Sequence, residues 1–165
     1  MNLWLDDVEL PDGQRLEHHV FRMPRHSVTV AVIDQAARAL MLWRHRFITD
    51  AWGWELPAGW IDPDENPASA ASREVEEQTG WRPGPLSEMT SYHPLSGISD
   101  LRMTMFRAEG ATYQGRPSDT SEASKVEWVP LADVRKLVDD RLIVDGPSLT
   151  ALSFAIAFPS PDKPG

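Results

Sequence analysis

The chain of 165 residues contains no cysteine. Disulfides, thiolate zinc sites and a cysteine nucleophile are thereby excluded, and the composition suits a cytoplasmic protein. A basic excess is also missing: 16 Lys and Arg stand against 25 Asp and Glu, for a net charge of −9. Duplex nucleic acids call for a basic face, so no nucleic-acid partner is expected. Small anionic substrates stay open, because bound metal and local arginines reverse the field inside a pocket. Long apolar runs are absent as well. The stretch Ala151 to Phe158, interrupted by Ser153, is too short to span a bilayer, and Met1 to Leu10 is acidic and lacks a signal-peptide core. No membrane role is expected. The histidines (His45, His93 and the pair His18-His19) show no zinc-like arrangement.

What is present reads as one mixed α/β domain over residues 1–158, with an N-terminal hairpin extension at 1–25 and a proline-rich, disordered tail at 159–165. Pro11-Asp12-Gly13 supplies the hairpin turn. Val28 to Ile33 and Ala39 to Trp43 read as paired strands, and Leu86 to His93, Leu101 to Ala108 and Lys125 to Val129 as further strands. Pro94 to Asp100 and Gly115 to Ser124 read as loops. Leu131 to Val138 and Ser148 to Phe158 carry helical patterns, with Pro147 at a helix start.

The best-defined helix lies mid-chain. Asn66 suits an N-cap and Pro67 the first helical position. Ala68, Ala70 and Ala71 favour helix and Gly80 stops it, so the helix is predicted over about residues 67–79. Glu74, Glu77 and Gln78 then fall at i, i+3 and i+4, on one face. Clustered carboxylates repel unless a cation neutralises them, and hard oxygen donors suit Mg²⁺ or Mn²⁺. Two adjacent glutamates alone would mean a solvated acidic surface; their surroundings argue otherwise.

Those surroundings are Gly59, five residues, Glu65, seven residues, then Arg73-Glu74-Val75-Glu76-Glu77-Gln78-Thr79-Gly80-Trp81. This pattern resembles the Nudix box, with Gln78 standing where that family has its last Glu. The preceding Glu55-Leu56-Pro57-Ala58-Gly59 resembles a segment of the ADP-ribose pyrophosphatase branch, and Tyr92 to Asp100 is similar to a loop of that branch. The resemblance implies a Nudix-type α/β/α sandwich with a mixed sheet, and a Mg²⁺- or Mn²⁺-dependent enzyme. Its substrate would be a nucleoside diphosphate linked to another moiety, ADP-ribose or a sugar nucleotide. It implies Glu74, Glu77, Gln78 and the Ala58 carbonyl as metal ligands, and a general base on a late loop, which is read as Glu122, with Glu77 the alternative and Asp119 a weaker candidate.

Glu65 is read as an outer-shell residue or a further ligand, and Arg73 as the holder of the glutamates or a phosphate contact. Gly59 permits close backbone approach. Arg44 and Arg46 alternate along a strand and share a face, where they could grip a diphosphate; Arg102 is a further phosphate contact. Trp52 and Trp54 close a core or pack over a base. A homodimer exchanging the hairpin is implied by related enzymes. The rival functions are a nucleoside triphosphate pyrophosphatase and a non-catalytic sensor of nucleotide metabolites.

Overall fold

The computed structural model describes residues 2–118 and 124–159. Strand β3 (Ser27–Ile33) is the centre of the fold, and all seven of its residues are buried. A strand buried on both faces is near-continuously apolar rather than alternating. Its neighbours are β4 (Arg38–Arg46) and β9 (Met103–Glu109), and the sheet runs β11 (Lys125–Pro130), β4, β3, β9, β8 (Leu86–Tyr92). β3 pairs with β9 in parallel, whereas β4–β11 and β8–β9 are antiparallel, so the sheet is mixed. Two short strands complete it: β5 (Ala51–Glu55) beside β4, and β6 (Ala58–Trp60) beside the start of β3.

Alternation along β3 and β4 divides the core in two. Val28, Val30, Val32 and Leu40 pack under helix α1 (Pro67–Thr79) with Ala70, Ala71 and Val75. Ala31, Ile33, Ala39 and Met41 face the opposite way, onto α3 (Gly146–Ala157) through Ala151, Leu152 and Ala155. Each fully buried valine contributes roughly 1.5–3 kcal/mol to this arrangement. The result is the expected α/β/α sandwich with a mixed sheet.

Helix α1 has the bounds its sequence signals predict. The Asn66 side chain accepts from Ala68 N–H, and Gly80 takes a left-handed φ of 75° while donating its N–H to the Glu76 carbonyl. Helix α3 is capped by Asp145, which accepts from both the N–H and the hydroxyl of Ser148. The buried Ser148 hydroxyl in turn accepts from Leu56 N–H at 2.9 Å. This bond fixes the segment that leads into β6.

The hairpin β1 (Asn2–Glu9) with β2 (Arg15–Arg22) turns at the Asp-Gly signal and forms its own two-stranded sheet. It meets the body through Phe21 N–H to the Ile98 carbonyl and Met23 N–H to Asp100.

Several details differ from the sequence reading, among them the short strands β5 and β6 and the start of α3 at Gly146. Residues Leu131–Asp133 form a 3-10 turn, and only Val134–Asp139 is α-helical (α2). Strand β9 begins at Met103 rather than Leu101. A small ladder of β7 (Trp81–Pro83) with β10 (Ala111–Tyr113) was not anticipated, because three-residue strands leave too little alternation to read.

Candidate active site

The site is built where β6 passes under α1. Pairing of Val28 with Gly59 and Thr29 with Ala58 holds the β6 backbone against the start of β3. Gly59 is then so close to α1 that a Cβ there would lie 2.0 Å from the Glu74 carboxyl carbon and 2.2 Å from each of its oxygens. No other residue type leaves Glu74 in this place.

Arg73 organises the acids. Its Nε and Nη2 donate to the two oxygens of Glu65 at 3.0 and 2.9 Å. Its Nη1 donates to Glu74 at 2.9 Å and to Glu77 at 3.1 Å, and Nη2 also donates to the Trp60 carbonyl at 2.9 Å. These contacts engage all five guanidinium N–H groups within the protein. Arg73 is thus a holder of glutamates, with no donor left for a phosphate. The hydrogen bonds to Glu65, and then those to Glu74, fix its protonated form still more firmly than usual. Conversely, the Arg73 bonds hold the Glu65 carboxyl below its ordinary range. Glu65 also accepts from Asp62 N–H, so it anchors the turn before α1.

Glu74 and Gln78 are buried, while the Glu77 side chain is 44% exposed. Glu77 borders a pocket of about 440 Å³ with Arg73, Glu76, Gln114 and Arg116. Gly80 closes the end of this wall; its carbonyl accepts from Gln114 N–H, and a Cβ on it would meet the Gly115 oxygen at 2.0 Å.

Gln78 faces inward. Its Nε2 donates to the Ala58 carbonyl at 2.8 Å and to Glu74 at 3.0 Å, and its Oε1 accepts from Ala58 N–H at 3.3 Å. Glu74, Glu77, Gln78 and Ala58 are therefore brought together, as the helix spacing required. Among the described residues no three acidic or imidazole side chains converge into a ready cation cage. Glu74 and Glu77 meet through Arg73 Nη1 instead. Their carboxylates are hard donors of the kind Mg²⁺ and Mn²⁺ take, and the exposed Glu77 opens that side to the pocket. The chemistry of these two carboxylates suits a dication, which would have to share them with the Arg73 guanidinium that now joins them.

A second cluster lies on the same sheet face. Leu40 packs under α1, and alternation puts Leu42, Arg44 and Arg46 on that face too. Glu55 pairs in register with Leu42 and shares it. Arg46 holds Glu55 bidentately at 2.9 and 2.5 Å, and Arg44 approaches the same carboxylate at 3.7 Å. The Arg44 side chain is only 3% exposed, whereas that of Arg46 is 50% exposed. Glu55 is the residue the sequence reading missed. Its place in the Glu55-Leu56-Pro57-Ala58-Gly59 segment was visible, but not its role between two arginines.

Arg102 is exposed and donates to the Ser91 hydroxyl, away from both clusters in its contacts. Trp54 belongs to the core on the α3 side, and Trp52 stacks on Trp43 over the same outer face. Neither tryptophan is on the face that carries Glu74. Glu122 and Asp119 lie outside the described residues.

Comparison with known proteins identifies the family. The family model of the NUDIX domain matches residues 23–148. The chain is 40% identical over 148 residues to the CMP-5'-(N-acetyl-N-hydroxy-3-aminopropyl)phosphonate hydrolase of Streptomyces rubellomurinus, covering 89% of this chain and 71% of that protein. It is 30% identical over 156 residues to the ADP-ribose pyrophosphatase of Bacillus subtilis, covering 93% and 84%. The crystal structure of an ADP compounds hydrolase superposes with a TM-score of 0.81 over 96% of this chain and 91% of that one, at 19% identity, which speaks for the fold. The matched span contains the box helix, its glycine cradle and the arginine-bound acids, and the chain belongs to the NUDIX domain family as a Nudix hydrolase.

Proposed function

We propose that this enzyme hydrolyses the diphosphate of a nucleoside diphosphate linked to another moiety, with ADP-ribose or a sugar nucleotide as substrate and Mg²⁺ or Mn²⁺ as cofactor. The observation that carries the reading is the Glu74–Arg73–Glu77 arrangement beside the pocket, set against the Gly59 backbone. Glu74 and Glu77 would hold the dication. When bound, the metal would neutralise the diphosphate and make water a better nucleophile. Glu77, the exposed acid, orients the attacking water or takes its proton, with Glu122 as the alternative base. Arg46 would meet a phosphate oxygen by exchanging one Glu55 bond, Arg44 would hold Glu55 in place from below, and Arg102 would be a further phosphate contact.

The relatives support this class and widen it. One acts on ADP-ribose by name and another on a CMP-linked phosphonate, so the latter is the second substrate reading, favoured by the 40% identity. Residues 1–158 would act as one catalytic unit. The exposed Leu3, Trp4 and Leu5 of the hairpin support self-association of two chains through β1 and β2. No described helix is long and apolar enough to cross a membrane.

A panel of ADP-ribose, sugar nucleotides, a CMP-phosphonate and nucleoside triphosphates, each with Mg²⁺, tests the proposal. Cleavage of a diphosphate linkage to yield a nucleoside monophosphate is expected. Release of pyrophosphate from triphosphates alone would make it a sanitising enzyme, and tight binding without turnover a sensor.

A further inference from the structure

The amide of Gln78 sits between two oxygens that a divalent cation would otherwise join. Both protons of Nε2 are engaged, one by the Ala58 carbonyl at 2.8 Å and one by Glu74 Oε2 at 3.0 Å. The amide oxygen accepts from Ala58 N–H, so residue 78 grips the same peptide unit by its donor and its acceptor. This network fixes which way the amide points. Turned over, it would set Oε1 against the Ala58 carbonyl and the Glu74 carboxylate, and its NH₂ against Ala58 N–H. All three hydrogen bonds would be replaced by repulsive contacts.

An amide nitrogen offers no lone pair to a metal, and the residue is 5% exposed, with little room for a neighbour. A cation bound to both oxygens would stand roughly 2.0–2.1 Å from each, in the space the NH₂ fills. We infer that Gln78 takes the place of a metal ion on this inner side of α1. The chain then binds one dication fewer than it would with a carboxylate at position 78, and its metal chemistry is confined to the Glu74–Glu77 side that faces the pocket. The inference rests on the metal reading proposed above.

The physical consequence is a site organised before metal arrives. A neutral donor between Ala58 and Glu74 satisfies a buried carbonyl and a buried carboxylate at once. A glutamate at 78 could not donate to either; it would put two carboxylates and a carbonyl together in a buried space, stable only around a cation. Gln78 is therefore a positioning residue, acting through Ala58 and Glu74.

The test counts metal. Mn²⁺ titrations of the full chain followed by electron paramagnetic resonance should show one more bound ion per chain in Gln78→Glu than in wild type. The apo form of that variant should melt below apo wild type, with Mg²⁺ raising its Tm more than it raises that of wild type. Equal, non-zero stoichiometry in the two proteins would overturn the inference and leave the proposed function standing. A wild type that binds no ion would end the metal reading and this inference with it, whatever the variant binds. Should Gln78→Glu fail to fold, the wild type suffices. At saturating Mg²⁺ the side-chain NH₂ resonances of Gln78 and the Ala58 amide resonance should stay in place with slow exchange. A large shift with fast exchange of that NH₂ would mean that the amide has turned to ligate the ion.

Discussion

Two guanidinium–carboxylate clusters lie on the sheet face beneath α1 with opposite makeup. In one, Arg73 is divided among Glu65, Glu74 and Glu77, which leaves an excess of two negative charges among those groups. In the other, two arginines, Arg44 and Arg46, converge on the one carboxylate of Glu55. The lone member of each cluster has the same task, to keep like charges close. What differs is the makeup: three carboxylates meet one guanidinium at the helix, and two guanidiniums meet one carboxylate at the strands. A metal–diphosphate complex presents both a cation and an anion.

The largest test removes the exposed acid of the helix cluster. Glu77→Gln should lower kcat on the order of a thousandfold while circular dichroism stays unchanged, since metal and base assistance together supply several kcal/mol. A wild-type rate would confine that cluster to structure. Removing the lone member of the strand cluster acts on stability instead. Glu55→Ala takes the shared partner from the buried Arg44 and should cost about 3 kcal/mol in urea unfolding. A cost near zero would mean that the two arginines tolerate each other without it.

Glu122→Gln asks whether a third group completes the pair. A drop in kcat of roughly a hundredfold with little change in nucleotide affinity is expected of a general base. An unchanged rate would leave that role with Glu77 alone. Arg46→Ala sharpens the anion side. It should raise KM for the nucleotide about tenfold and move kcat less, as loss of one charge-assisted contact would. An effect on Tm alone would make the strand cluster purely architectural.

The smallest effect concerns pH. Because Arg73 lowers the Glu65 carboxyl, its contribution is present above the unfolded-state pKa and is lost as pH falls through the lower folded value. Acid unfolding should therefore weaken wild type more between neutral pH and pH about 3 than it weakens Glu65→Gln. Parallel curves would show that Arg73 leans on Glu74 and Glu77 alone.

The two clusters also differ in how far they could be read from sequence. The helix cluster follows from local rules. Asn66, Pro67 and Gly80 fix the ends of α1, and a period of 3.6 then places Glu74, Glu77 and Gln78. The strand cluster depends on β4–β5 register. Alternation put Arg44 and Arg46 on one face, but the partner opposite them is set by pairing Leu42 with Glu55 across a turn. Burial separated the two arginines further, and nothing along the chain marks Arg44 as the enclosed one. Gln78 was legible as a departure, but the direction of its amide required the Ala58 backbone to be in place. The short β7–β10 ladder and the 3-10 turn at Leu131 left no period to detect.

The hydrogen bond from Leu56 N–H to the Ser148 hydroxyl bears on biosynthesis. The acceptor lies 92 residues downstream of the donor, in the helix that is translated last among the described elements. While the nascent chain grows, the Leu56 N–H faces water, and the segment carrying Ala58 and Gly59 lacks the bond and the α3 side chains that later fix it. Nucleotide hydrolysis should thus switch on only after α3 has left the ribosome and docked, whatever earlier stretches have already acquired their shape.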